Sequence, residues 1–124
     1  MIEGINRKQI LEEFLKNVAH ISDRNYQERV WIRVEGPECN DIDDAVGDFF
    51  DDGEFIFETY KEFCITEIQY EKLMILKEKL RFFTDTYGVY YPYKSTPKLI
   101  QMPEWEEIRG LAKNMLEAFN FHME

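Results

Sequence analysis

Side chains that carry out nucleophilic or metal chemistry are few in this 124-residue sequence, and they are far apart. Two histidines, His20 and His122, and two cysteines, Cys39 and Cys64, are all there are. A nucleophile needs a base held beside it. His20 meets Cys39 or Cys64 only if the fold happens to bring them together. Each histidine lies near the end of an expected helix, where a charged imidazole at a C-terminus is favourable. Both are therefore read as structural or solvent-facing. Cys64 sits among apolar neighbours and reads as a small core residue. The six glycines are scattered singly, so there is no phosphate-cradling loop, and no Gly-x-Ser-x-Gly elbow occurs. The expectation is no catalytic residues, no cofactor and no enzyme.

Carboxylates are abundant, and they are concentrated. The 26 residues from Glu35 to Tyr60 hold ten acids and no Lys, Arg or His. The chain has 25 acids, 15 bases and a net charge of -10, so this one segment carries all of the imbalance. Ten carboxylates are too many for one tuned acid–base pair. Calcium is the sharper alternative, because "DIDDAVGDFFDD" offers Asp41 and Asp43 at the first and third positions of a binding loop. It then fails, with Ala45 fifth, Val46 where the turn needs glycine, and Asp52 where the loop ends in glutamate. No metal ligand is expected.

The elements that must position these acids are helices. Ile42, Ala45, Val46, Phe49 and Phe50 recur at helical spacing, with Asp43, Asp44, Asp48, Asp51 and Asp52 on the remaining surface. Asn40 or Asp41 can cap this helix over 41–52, and Gly53 fits its stop. A first helix is expected over 5–20 with Asn6 as cap and Ile10, Leu11, Phe14, Leu15 and Val18 inward. Ser22 to Asn25 reads as a turn. Thr66-x-x-Gln69 is a capping-box pattern. It opens a helix with Leu73, Leu76, Leu80 and Phe83 buried and Gly88 beyond its end. A last helix starts near Pro103, a favoured first-turn residue. Its apolar face runs from Trp105 through Ile108, Leu111, Ala112, Met115 and Leu116 to Phe119. Residues 88–101, with Pro92 and Pro97, read as a loop. Two stretches stay ambiguous. Val30, Ile32 and Val34 alternate as a strand would, yet Tyr26, Val30 and Val34 also share a helical stripe. Phe55 to Phe57 is either a strand or a helical turn. The fold class is mainly α: a single-domain helical bundle over 1–124, with short strands allowed near 28–34 and 54–58.

The chain is long enough to bury a core without disulfide or metal staples. Two cysteines make no disulfide framework, which suits a reducing, cytoplasmic setting. Arg7, Lys8, Glu12 and Glu13 interrupt any secretory apolar run, and no stretch approaches a membrane span. The negative charge argues against nucleic acid and anionic lipid as partners and favours a basic protein.

Two details read as an interaction surface. Asp51 and Asp52 are expected in the last turn of their helix, at the negative end of its dipole, where acids cost about 0.3–1 kcal/mol each. "VYYPY" then sets Tyr90, Tyr91 and Tyr93 around Pro92, and tyrosine is a common interface anchor. An acid-studded helix and a Tyr-Tyr-Pro loop in a small acidic chain resemble the colicin immunity proteins. These residues are Asp43, Asp44, Asp48, Asp51, Asp52 and Glu54, with Tyr90, Tyr91 and Pro92. The size, acidity and "PEW" terminal helix look like the wider set of bacterial immunity proteins. The resemblance implies a helical bundle that binds and blocks a basic nuclease toxin, with the acids and the tyrosine pair at the contact. An acidic adaptor or regulatory domain for another basic protein is the alternative.

Overall fold

The computed structural model describes residues 6–38, 40–88 and 96–122. All its regular elements are helical. Helix α1 spans Arg7–Ser22 and α2 spans Arg24–Tyr26, which runs on into a π-helical segment, Gln27–Ile32. Helix α3 is Ile42–Glu58, followed by a 3-10 turn at Tyr60–Phe63. Helices α4, α5 and α6 are Glu67–Tyr87, Thr96–Ile100 and Pro103–Ala118. The long helices pack in the order α3, α1, α6, α4, so α1 and α6 form the middle of the bundle. Val18, Ala45, Phe49, Leu73, Leu76, Leu80, Trp105, Ala112 and Met115 are fully buried in one apolar cluster.

The caps expected from sequence form. Asn6 Oδ1 accepts from the Gln9 amide at 3.0 Å. Asp41, and not Asn40, caps α3 by accepting from the Asp44 amide at 2.8 Å. Asn40 is used elsewhere, accepting from Trp31 Nε1 at 2.8 Å. At α4 the capping box closes in both directions: Thr66 Oγ1 accepts from the Gln69 amide and Gln69 Oε1 from the Thr66 amide. Gly88 ends α4 with φ at 65°, a left-handed conformation that glycine adopts without strain.

Two stretches that the sequence leaves open are helical, and three expectations are corrected: the stop at Gly53, the loop over 96–100 and the burial of Cys64. Strand alternation at 28–34 would place Val30 and Trp31 on opposite faces. Both are buried, and the Arg33 amide donates to the Glu28 carbonyl five residues back at 3.0 Å, which is π-helical. A helical turn sets consecutive residues about 100° apart, so both can face the core. Residues 54–58 are also helical, because Gly53 lies inside α3 and is no stop. It is there for space. A Cβ at Gly53 would lie 2.5 Å from Phe57 Cζ of the same helix and 2.9 Å from Phe14 Cε1 of α1, so both rings close over this point only with glycine there. The stop is Thr59, whose Oγ1 bonds the Phe55 carbonyl at 2.6 Å. Residues 96–100 are helix α5 and not loop, with Pro97 tolerated in the first turn and Leu99 and Ile100 buried. Cys64, expected in the core, is exposed. It holds φ at 59° at the end of the 3-10 turn, directing the chain into Thr66 while Phe63 and Ile65 fill the core. The turn expected over Ser22 to Asn25 narrows to the extended Asp23 between α1 and α2, and Asp23 Oδ1 caps α2 by accepting from the Tyr26 amide at 3.0 Å.

Candidate functional site

Helix α3 presents one face to the core and another to solvent. Ile42, Ala45, Val46, Phe49, Gly53 and Ile56 are buried. On the other side, Asp44, Asp48, Asp51, Phe55 and Glu58 are all exposed. Their spacing alternates four, three, four and three, which draws one continuous stripe along a helix. Asp41, Asp52 and Glu54 border it and are exposed as well. Among the described residues, none of the carboxylates from Asp41 to Glu58 takes part in an ion pair. Seven ion pairs form elsewhere in the described chain.

The two edges of the stripe differ. On one, Asp52 and Phe55 share a shallow groove with Asn6, Gln9, Ile10 and Glu13 of α1 and its cap. On the other, Asp51, Glu54 and Glu58 border a groove that also holds Lys77 and Arg81 of α4. Those two cations sit over aromatic rings, with Arg81 4.8 Å from the Phe50 ring centre and Lys77 5.3 Å from that of Phe57. They soften that edge. The uncompensated part of the field therefore lies over Asp44, Asp48 and Asp52.

Of the acids singled out from sequence, Asp44, Asp48, Asp51, Asp52 and Glu54 are together on this surface. Asp43 is not free in the same way: it is half-buried, and its Oδ1 is enclosed without a hydrogen-bond partner among the described residues. Tyr90, Tyr91 and Pro92 lie outside the described residues, as does Cys39. Phe55, 39% exposed in the middle of the carboxylates, was not anticipated. Continuing the helical spacing of α3 past Gly53 would have found it. The dipole expectation is corrected too. Because α3 runs on to Glu58, Asp51 and Asp52 stand in its middle, and the acid in its last turn is Glu58, with no base in that turn.

Burial and the crowding of like charges both disfavour ionisation here. Burial, then Asp52, Asp44 and Asp51, push the Asp48 carboxyl above its ordinary value. Burial, then Asp41 and Asp44, do the same for Asp43. A raised folded-state value gives stability that is complete below the unfolded value and is lost as pH rises through the folded one. Asp48→Asn is therefore expected to melt higher than wild type at neutral pH. That advantage should shrink as pH falls toward 3.8, the ordinary aspartate value. Melting curves of both proteins across this range check it, and a constant difference would refute the repulsion account.

A cleft of about 640 Å³ lies where α1 and α2 meet the end of α6. There the His20 ring stacks on Tyr26 with centres 3.9 Å apart and planes within 2°. Burial lowers its affinity for a proton, against the pull of Asp23 and Glu38. His122 is exposed at the rim. Arg29 forks onto both Glu38 oxygens at 3.0 and 3.1 Å, closing the segment around Gly36 and Pro37. Among the described residues no three His, Cys, Asp or Glu side chains converge as a metal site would. The residues that would form a calcium loop are helical from Ile42 on.

Set against known proteins, the chain matches no family model, no curated protein and no solved structure. Its functional reading rests on its own surfaces. No helix among the described residues is long and apolar enough to cross a membrane.

Proposed function

We propose that the α3 stripe docks a basic protein, and that the chain is an immunity protein that neutralises a basic toxin domain, a nuclease. The observation that carries this is the absence of ion pairs, among the described residues, for every carboxylate from Asp41 to Glu58. A solvated face that only confers solubility is typically mixed in sign, as on α4, where Glu71, Lys72, Lys77, Glu78, Lys79 and Arg81 alternate. A single-sign face repels itself; Lys77 and Arg81 soften one edge of it, and a cation from outside relieves the rest.

The mechanism is occlusion. A nuclease holds phosphates in a groove of Arg and Lys, and a row of carboxylates at helical spacing lies along the same groove. Complementary charge steers the encounter and raises association rates, more so at low salt. Phe55, set among the acids, supplies the desolvated contact that slows release. A protein with this task works in the cytoplasm of the cell that makes the toxin.

The test is a pull-down from the native cell, with any basic nuclease recovered then purified and mixed with the chain. Cleavage of nucleic acid should fall to zero at a one-to-one ratio. Cleavage unchanged by excess chain would end the toxin reading.

A further inference from the structure

Helix α4 carries a second surface of a different kind. Ile68, Ile75 and Phe82 are 66%, 45% and 61% exposed, three of the five large apolar side chains exposed in the described chain. They are spaced by seven residues, so they fall on one line along the helix. Leu73, Leu76, Leu80 and Phe83 hold the opposite side in the core. Met74, Ile75 and Phe82 floor a shallow groove of about 550 Å³ walled by Glu71, Glu78 and Lys79. Nothing among the described residues covers this line.

We propose that the line is the contact of a homodimer in which two copies of α4 lie side by side and parallel. The charges beside the line make the argument. At about 100° per residue, Glu71 and Glu78 lie some 50° to one side of Ile75, and Lys72 and Lys79 the same distance to the other. In a parallel pair the two-fold axis runs along the helices, and each flank meets the opposite flank of the other copy. Glu71 then faces Lys72 of the second copy and Glu78 faces Lys79, each within about 1.5 Å of the same height. In an antiparallel pair each flank meets its own kind: Lys72 would face Lys79, and Glu71 would face Glu78. The sequence of α4 is therefore complementary to itself in one orientation only. Lys79 also pairs with Glu107 at 3.3 Å, but both side chains are about half exposed and the contact is easily shared.

The apolar part of the contact is three side chains long, well short of the roughly 800 Å² per partner of a standard interface. The dimer is accordingly weak and forms as concentration rises. It uses a different helix from the α3 stripe, which stays open in it, so the two surfaces stand or fall separately.

Sedimentation velocity on the chain alone, from micromolar to millimolar, tests the proposal, with circular dichroism confirming that each variant is folded. Wild type should shift from monomer to dimer. Ile75→Glu, and separately Lys72→Glu with Lys79→Glu, should stay monomeric. Adding Glu71→Lys and Glu78→Lys to the latter should restore the dimer. Thr86→Cys, with Cys39→Ser and Cys64→Ser, should be cross-linked by a short bismaleimide, since only a parallel pair sets position 86 beside itself. A wild type that stays monomeric throughout, a dimer indifferent to Ile75→Glu, or one that this cross-linker fails to join would overturn the proposal.

Discussion

Changing Asp48, Asp51 and Asp52 together to Asn is expected to slow association with the basic partner by roughly ten-fold or more at low salt, the scale of electrostatic steering. The same variant should melt higher than wild type. Residues three and four apart on a helix are neighbours, and like charges there cost about 0.2–0.5 kcal/mol per pair. The variant relieves Asp44 with Asp48, Asp48 with Asp52, Asp48 with Asp51, and Asp51 with Glu54. That amounts to about 1 kcal/mol. In a chain of this length such a gain raises the melting temperature by roughly 3–5 °C. The dipole adds nothing to this, since Asp51 and Asp52 are mid-helix. Opposite signs in the two measurements are the point: a face kept for binding is one whose neutralisation improves the fold and harms the function. Stopped-flow mixing and a thermal melt on one preparation give both. Association as fast as wild type would remove α3 from the contact, and a lower melt would mean that the acids are structural.

Much of the bundle was legible because its signals are local. Asn6, the Thr66–Gln69 box, Pro103 and Gly88 each act within a turn of where they stand, so helix starts and stops could be placed from them. The acidic helix was legible from Ile42 to Phe50 for the same reason. What failed depended on tertiary contact. Gly53 looks like a stop until Phe14 and Phe57 are seen to leave no room for a Cβ. Val30–Trp31 stays open between strand and helix until the π-helical segment is seen to set both inward. Cys64 was judged by its neighbours, yet a single left-handed residue turns it outward while they stay in. At the candidate site the identity of the acids could be read and their inequality could not. Which of them Lys77 and Arg81 flank depends on how α4 lies against α3.

The contact least visible in the sequence supports the second large expectation: Gln27→Ala should cost about 3–5 kcal/mol, the scale for leaving two or three buried polar groups unpaired at about 1–3 kcal/mol each. Gln27 is fully buried in the π-helical segment, and Arg109 of α6 is 3% exposed. One amide serves four groups. Gln27 Oε1 accepts from Trp105 Nε1 at 3.0 Å and from Arg109 Nη1 at 2.9 Å. Its Nε2 donates to the carbonyls of His20 and Ile21, at 2.9 and 2.7 Å, in the last turn of α1, where the His20 carbonyl also accepts from the Asp23 amide at 3.3 Å. Alanine would abandon all four, leaving Arg109 with Glu106 alone. Gln27→Glu is nearly isosteric and offers Arg109 a charge, but it turns a carboxylate oxygen on two carbonyl oxygens. It too should destabilise. Stabilities of small domains are about 5–15 kcal/mol, so the alanine variant loses a large share of what holds α1, the π-helical segment and α6 together. Replacing both ends, Gln27→Leu with Arg109→Met, should cost less than the two single changes added, because no charge is then left buried without its acceptor. Urea midpoints of the two single variants and the double give the coupling. Single changes that simply add, or a Gln27→Ala loss below about 1 kcal/mol, an ordinary neutral hydrogen bond, would show the network to be incidental.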